Sequence, residues 1–324
     1  QQLTMDERFS ITNMAVEARY LGTAGRQMSW FHFFGNQAIP GTGDIQPRRL
    51  YPDPGFTAEM SSGANSIYHS LQLQVTRKMS QGLSILSGYT WAKSITDQEA
   101  EEGGYADGGL GQNDLVRTGE RARGVNDARH RFTIGYIWEL PFGKGRKWAT
   151  SGPSAWILGG WQVNNIISLM TGAPFTVSAS GNSLNMPGSS QQADQVKPEV
   201  QILGGAGRGQ SYFDPFAFRP ISEPRFGTSG INTLRGPGIV NWDFGVFREF
   251  AVSEGWKVQF RMESFNFSNT PHFGNPGGNV SNFQLNPDNS IRDFGGFSEI
   301  TGVTNLAREG IDERQFRFGI RISF

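Results

Sequence analysis

The sequence contains no cysteine and no long hydrophobic run. Without a thiol, the chain cannot form disulfides, thiolate metal sites or a cysteine nucleophile. No segment approaches the ~18 consecutive apolar residues of a transmembrane helix, which excludes helical membrane spanning. A β-barrel is not excluded, because a barrel strand needs only ~9–11 alternating residues and leaves the mean hydropathy low. The mean hydropathy of -0.41 fits a soluble protein and a barrel alike.

An excess of charge and the common catalytic motifs are also missing. Lys+Arg and Asp+Glu number 29 each, so no overall field favours nucleic acid as a partner. No nucleophile elbow, Walker loop or HExxH motif occurs. No histidine has a carboxylate or second histidine at metal-ligand spacing; the four are His32, His69, His130 and His272. We expect a protein that is not an enzyme and needs no cofactor.

One acidic concentration stands out between Asp97 and Asp107, where three glutamates, Glu99, Glu101 and Glu102, lie close together. Oxygen ligands of this kind can bind Ca²⁺, but their spacing matches no known loop motif. A solvated run of charges is the preferred interpretation of this segment.

Glycine and aromatic residues are plentiful, with 43 Gly, 25 Phe and 8 Trp, which indicates turns and strands. The last ten residues alternate without a break, since successive strand side chains point to opposite faces. The residues on the apolar side are Phe316, Phe318, Ile320, Ile322 and Phe324. An aromatic residue that closes such a strand resembles the signal by which the barrel-assembly machinery recognises its substrates.

Alternation recurs upstream, and short turns alternate with long polar loops. The segments are Asn13–Leu21, which Gly22–Gly25 ends, Ser66–Lys78, Leu83–Ser94, Arg131–Leu140, Trp156–Val177, Val240–Phe250 and Trp256–Asn266. The loops are 26–64, 95–127, 178–238 and 269–311. Outer-membrane barrels sort their connections in this way. The fold class we predict is all-β, an antiparallel transmembrane β-barrel; a soluble β-sandwich that binds or cleaves carbohydrate and a complete small barrel are the alternatives.

Several blocks of sequence also resemble the carboxyl-terminal barrel of Oar-like TonB-dependent outer-membrane receptors. They are Ser87-Gly-Tyr-Thr-Trp-Ala-Lys-Ser-Ile95, Asp127-Ala-Arg-His-Arg-Phe132, Glu139-Leu-Pro-Phe-Gly-Lys-Gly-Arg146, Gly160-Trp-Gln162, Thr171-Gly-Ala-Pro-Phe175, Leu234-Arg-Gly-Pro-Gly238 and Phe265-Asn-Phe-Ser-Asn-Thr-Pro-His-Phe-Gly274. As a set, in the family's order, they span most of the chain from Ser66 onward.

The resemblance implies the carboxyl-terminal portion, about eight or nine strands, of a 22-stranded barrel. It also implies uptake, or export, of a bulky solute across the outer membrane, powered by TonB through an amino-terminal plug. No residue here matches a signal peptide, TonB box or plug, and residues 1–8 are typical of a strand already under way, which favours a fragment. A passive porin is the competing function.

Three sets of residues are candidate sites. Charges that alternate with aromatics cannot face lipid, where Arg costs ~2–4 kcal/mol at mid-bilayer. We therefore predict that the lumen-facing residues include Gln259, Arg261, Glu263, Arg317 and Arg321. The candidate membrane-interface aromatics are Tyr89, Trp91, Tyr136 and Trp138. The candidate assembly signal consists of Phe316, Phe318, Ile320, Ile322 and Phe324.

Overall fold

Nine long strands form one antiparallel sheet in the computed structural model, which describes residues 2–11, 13–32, 36–53, 57, 59–97, 112–113, 121–186, 190–253, 255–304 and 313–324. In chain order the strands are β1 (Gln2–Ile11), β2 (Met14–His32), β3 (Glu59–Ser80), β4 (Leu83–Thr96), β5 (His130–Glu139), β6 (Trp161–Met170), β7 (Ile239–Ser253), β8 (Trp256–Phe265) and β9 (Gln315–Ser323). Each pairs with the next, and a two-residue strand, Ala122–Arg123, adds to the end of β4.

Short and long connections alternate along most of the sheet, as predicted; the exception is the connection between β5 and β6, residues 140–160, which contains a helix. The turn between β3 and β4 consists of Gln81 and Gly82, both with positive φ (52° and 79°), and Ser80 pairs with Leu83 across it. Two central residues with positive φ define the type I′ turn, whose twist matches that of the strands. Because neighbouring strands are antiparallel, the long connections β2–β3, β4–β5, β6–β7 and β8–β9 all lie at the opposite end of the sheet from this turn.

The register gives the sheet one apolar and one polar face. One row of paired residues on the apolar face is Leu73, Tyr89, Phe132, Leu169 and Val240. The row beside it, on the other face, is Gln74, Gly88, Thr133, Ser168 and Asn241. The period-two pattern of each strand is therefore in phase with that of its neighbours, as one buried or lipid-covered face requires.

Among the described residues, no second sheet covers the apolar face. Phe318 is 68% exposed, and Ile320 and Ile322 of the same strand are also exposed. A β-sandwich would bury these side chains between two sheets, so the arrangement is not that of the soluble sandwich. Within the described chain, β1 and β9 each pair with one neighbour only and form the two edges of the sheet.

Several predicted boundaries are wrong, among them the start of β3, which lies at Glu59 and not at Ser66, and the end of β6, which lies at Met170 and not at Val177. The strand expected to end at Gly22–Gly25 continues to His32, because those residues pair with β3 up to Gly25 opposite Ser66, and shifts of register then carry the pairing onward. The strand expected to start at Trp156 is preceded by a helix, α1 (Gly152–Leu158), with a proline in its first turn. The run Trp156-Ile157-Leu158 does not alternate, and Trp161 Nε1 donates to the carbonyl of Ile157 at 3.0 Å.

The long connections fold together into a compact cap with its own core. Phe213 and Phe297 are almost completely buried, with ring centroids 5.3 Å apart in an edge-to-face arrangement. The buried apolar residues around them are Phe175, Val177, Ala179, Ala193, Tyr212, Ala217, Phe218, Val280 and Ile300. The segments predicted only as polar loops, 178–238 and 269–311, thus contribute a hydrophobic core. The sequence did not reveal this core, because its aromatic residues recur at neither strand nor helix spacing.

No helix in the described ranges is long and apolar enough to cross a membrane.

Candidate functional site

The polar face of the sheet is the first candidate site, because a barrel turns its polar face toward the lumen. All five predicted lumen residues lie on this face of β8 and β9. Gln259 stands opposite Arg321, and Glu263 stands opposite Arg317. Arg261 donates from Nε to Oε1 of Gln259 at 2.8 Å. The structure therefore brings these five residues together on one surface; that this surface faces the lumen remains a prediction.

Two of the predicted arginines lie against aromatic rings of the same face. The guanidinium of Arg261 is 5.1 Å from the ring centroid of Phe247, and that of Arg317 is 4.8 Å from the centroid of Phe265. Such a contact contributes ~0.5–1 kcal/mol at an exposed site. It depends on which residues stand side by side on neighbouring strands, so the sequence of each strand alone did not reveal it.

A groove of about 490 Å³ opens on this face between β4 and β8. Its apolar lining includes Leu86, Ile137, Ile166 and Phe247, and the carboxylates of Asp243 and Glu263 also line it. Leu86 and Ile166 are 57% and 51% exposed. Volume and lining match small-molecule sites, which span ~300–1,000 Å³ and are mostly apolar with a few polar groups. A sequence signal for this groove exists but was missed. Leu86, Ile137 and Ile166 are apolar residues at positions where the alternation of their strands places polar side chains.

Near β1 the polar face carries a ladder of ion pairs. Arg19 Nε lies 2.5 Å from Asp6 Oδ1, and Arg8 Nε lies 3.1 Å from Glu17 Oε1. Each pair joins residues directly opposite one another on β1 and β2. Exposed pairs contribute only ~0.2–1 kcal/mol each, so the ladder makes this part of the face hydrophilic more than it stabilises the sheet.

A buried ion pair ties the cap to the sheet. Arg235 bonds the carboxylate of Asp127 through Nη2, while its Nη1 donates to the carbonyls of Asp127 at 2.5 Å and Gly172 at 3.1 Å. Asp127 is buried, and its Oδ1 also accepts from the Ser94 N–H of β4 at 2.7 Å. Tyr212 donates to the Arg235 carbonyl at 3.1 Å, and burial raises the pKa of its phenol.

Four of the sequence blocks that carry the family resemblance meet around this pair, namely those that contain Ser94, Asp127, Gly172 and Arg235. Arg235 pairs with Pro174 in a two-residue ladder. A Cβ on Gly172 would lie 1.8 Å from the Gly236 carbonyl oxygen, so only glycine permits that approach. The His272 ring nitrogen Nε2 lies 3.1 Å from the Val240 carbonyl. The blocks thus form the junction between the sheet and the cap.

A second charge cluster lies within the cap. Asp194 is buried and accepts from Arg225 Nη2 at 2.5 Å and Nη1 at 2.9 Å, with Arg219 Nη2 at 3.3 Å. Hydrogen bonding to Arg225 holds the pKa of the Asp194 carboxyl below its usual value, against the opposing effect of burial. The carboxylate is therefore fixed in its charged form as a structural anchor of the cap.

The predicted interface aromatics occupy the two ends of the apolar face. Trp91 and Tyr89 lie toward the long connections, and the Tyr89 hydroxyl is 2.8 Å from Nδ1 of His130. Trp138 lies opposite Leu83 beside the short turn, and Tyr136 lies opposite Ile85, two pairs further in. Trp91 is 54% exposed. These positions are the ones that an aromatic belt would use; their contact with lipid remains a prediction.

The predicted assembly strand, β9, forms one edge of the sheet. Phe316, Phe318, Ile320 and Ile322 stand opposite Ser264, Met262, Phe260 and Val258 of β8. Phe324 follows the last paired residue, is 90% exposed, and its ring centroid lies 5.3 Å from that of Trp256. The geometry leaves this aromatic ring accessible; recognition by assembly machinery remains a prediction.

The acidic concentration lies mostly outside the described residues. Asp97 is described, and its carboxylate accepts from Asn65 N at 2.6 Å and Nδ2 at 3.2 Å. Glu99, Glu101, Glu102 and Asp107 are not described, so a cation site there is not tested. In the described part of the chain, no group of three or more His, Asp or Glu residues could hold a metal ion.

Comparisons with known proteins identify the family. A family model described as an outer membrane beta barrel domain matches residues 2–316. No curated protein matches the chain. Among solved structures, the siderophore receptor PiuA from Acinetobacter baumannii is 9% identical, with 99% of this chain and 55% of that chain covered and a TM-score of 0.20. This chain thus spans about half the length of that receptor, and so low a TM-score supports no inference about substrate.

Proposed function

This chain belongs to the outer membrane β-barrel domain family, and from that membership we propose that it forms part of the wall of a TonB-dependent receptor. The receptor moves a bulky solute across the bacterial outer membrane. The two-faced sheet carries the proposal: the apolar face contacts lipid, and the polar face, with its arginines and its groove, lines the path of the solute. The resemblance of the sequence blocks to Oar-like receptors supports this more specific assignment.

The polar face supports a role in solute passage for two reasons. Its charged side chains, such as Arg261 and Arg317, need water or a polar partner, which only a lumen supplies within a membrane. The groove lined by Leu86, Ile137 and Ile166 offers an apolar surface to part of a large solute. We also propose that the chain is not an enzyme, and that TonB acts on it through an amino-terminal plug.

Two measurements on the full-length protein test this proposal. The first is conductance in planar lipid bilayers, where a plugged receptor gives no steady open-channel current and a passive porin gives stable open steps. The second is binding of the purified carboxyl-terminal domain of TonB to the full-length protein. Binding without steady conductance is expected. Stable channels without TonB binding would contradict the receptor and support a passive porin. Recovery of the protein in the soluble fraction would refute a membrane function.

A further inference from the structure

Three strands carry a cluster of exposed cationic and hydrogen-bonding side chains on the otherwise apolar face, close to the long connections. His69 of β3 stands directly opposite Lys93 of β4, and His130 of β5 stands opposite Trp91, two residues along β4 from Lys93. Side chains directly opposite one another have Cβ atoms ~4.5–5.5 Å apart, and diagonal neighbours lie ~7–8 Å apart. His69, Lys93 and His130 are all exposed, so they form one continuous patch.

Both histidines are held in the same way. The Tyr20 hydroxyl lies 2.7 Å from His69 Nδ1, with ring centroids 6.0 Å apart and an interplanar angle of 20°. The Tyr89 hydroxyl lies 2.8 Å from His130 Nδ1, with centroids 6.1 Å apart and the same angle. When the phenol donates to Nδ1, the imidazole proton is on Nε2. Each ring then presents an N–H donor, and the repeat occurs two strands apart.

Within the rows that carry the patch, the charged side chains are all basic; a carboxylate, Asp97, lies four residues beyond Lys93 and accepts hydrogen bonds from Asn65. No carboxylate occurs among the described side chains on this face of β2 to β5. The ranges considered are Met14–Ala24, Ile67–Arg77, Leu83–Ile95 and His130–Trp138. Lys93 has no ion pair within the described part of the chain. A lysine that is exposed on a lipid-facing surface near the end of its strand can extend toward the polar headgroups.

From these observations we propose that His69, Lys93 and His130 form a binding site for a phosphate-bearing headgroup of net negative charge on a membrane lipid. The site lies in the leaflet at the long-loop end, with Tyr20 and Tyr89 as positioning residues. Lys93 supplies the charge, the two imidazoles supply directed N–H donors, and Trp91 packs against the upper part of the acyl chains. The assignment rests on the proposed function only in requiring that the apolar face lies in lipid.

Native mass spectrometry of the detergent-solubilised full-length protein tests the site. The probes are phosphatidylglycerol, phosphatidylcholine with the same acyl chains, and inorganic phosphate. The wild type should retain phosphatidylglycerol in preference to phosphatidylcholine. Lys93→Gln should weaken phosphatidylglycerol retention about 5-fold, since one lysine near an anionic surface contributes ~1 kcal/mol. The variant with both His69→Gln and His130→Gln should also lose retention.

The matched control is Lys257→Gln, which removes one lysine from the polar face and should leave lipid retention unchanged. Equal retention of phosphatidylglycerol by the wild type and Lys93→Gln would overturn the site, as would competition by inorganic phosphate at equal concentration. Loss of retention of both lipids in the wild type would instead contradict the lipid-facing assignment of the whole face. Conductance and TonB binding are measured independently, so failure of the lipid site leaves the receptor proposal standing.

Discussion

At the scale of single residues, the pair of Asp127 and Arg235 links the cap to the backbone of β4 through Ser94. Removal of one partner of a buried pair costs ~3–5 kcal/mol when the other charge remains buried. Asp127 would keep its hydrogen bond from the Ser94 N–H, which favours the lower end of this range. We expect Arg235→Gln to loosen the cap by about 3 kcal/mol. The measurement is the rate of tryptic cleavage within residues 190–238 of the membrane-inserted protein.

The control for this variant is Arg146→Gln, which breaks the exposed pair of Arg146 with Glu139 at 2.6 Å. Exposed pairs contribute ~0.2–1 kcal/mol, so cleavage of the cap should change little. Equal cleavage rates for the two variants would show that the buried pair does not hold the cap.

Asp194 should make the stability of the cap depend on pH. Its pKa in the folded protein lies below the unfolded value of ~3.9. The stabilisation is therefore complete well above pH ~4 and is lost as the pH falls through the unfolded and then the folded pKa. In urea titrations followed by near-ultraviolet circular dichroism, the wild type should lose stability below pH ~4 more steeply than Asp194→Asn. Parallel pH profiles for the two proteins would contradict this role.

At the scale of elements, the sequence predicted the strands well where side chains alternate. β4 and β8 were found almost to the residue, because each has one apolar and one polar face and a short turn at one end. The continuation of β2 beyond Gly22 was missed, since glycine and threonine there pair with β3 without an alternating apolar set. Helix α1 was missed because Trp156-Ile157-Leu158 was assigned to the strand that follows.

The cap and the groove could not be predicted from local patterns. Phe213 and Phe297 are far apart in sequence and meet only when two long connections fold against each other. The groove needs the register of five strands, because Leu86, Ile137 and Ile166 come from three different ones. The placement of the predicted lumen residues on one face could be predicted, because it depends only on alternation within β8 and β9.

The terminal strand carries a prediction about assembly. If β9 is the recognition signal, Phe324→Ala in the full-length protein should sharply lower outer-membrane abundance. Burial of one Phe is worth only ~1.5–3 kcal/mol, which is modest for a large barrel, so loss of stability alone would have a small effect. The comparison is Phe318→Ala, a similar truncation on the apolar face, and the measurement is the amount of each variant in isolated outer membranes. Equal amounts would leave Phe324 as an ordinary strand residue.

At the scale of the whole molecule, two surfaces of opposite character are built from one sheet. The apolar rows continue from β2 to β9, and the polar rows run beside them with the charged side chains. The cap of long connections sits at one end, and the short turns and the helix-containing β5–β6 connection lie at the other. This asymmetry is the property of an outer-membrane barrel wall that separates lipid from a polar interior.

The most direct test is the accessibility of the two faces along β8. The 324 residues contain no cysteine that would have to be removed. Single cysteines introduced at positions 258 to 263 of the full-length protein can therefore carry a nitroxide label in lipid vesicles. Collision rates with oxygen, which concentrates in lipid, should be high at Val258, Phe260 and Met262. Collision rates with a water-soluble nickel chelate should be high at Gln259, Arg261 and Glu263. Absence of this alternation, or access of the chelate to all six positions, would contradict the two-faced barrel wall.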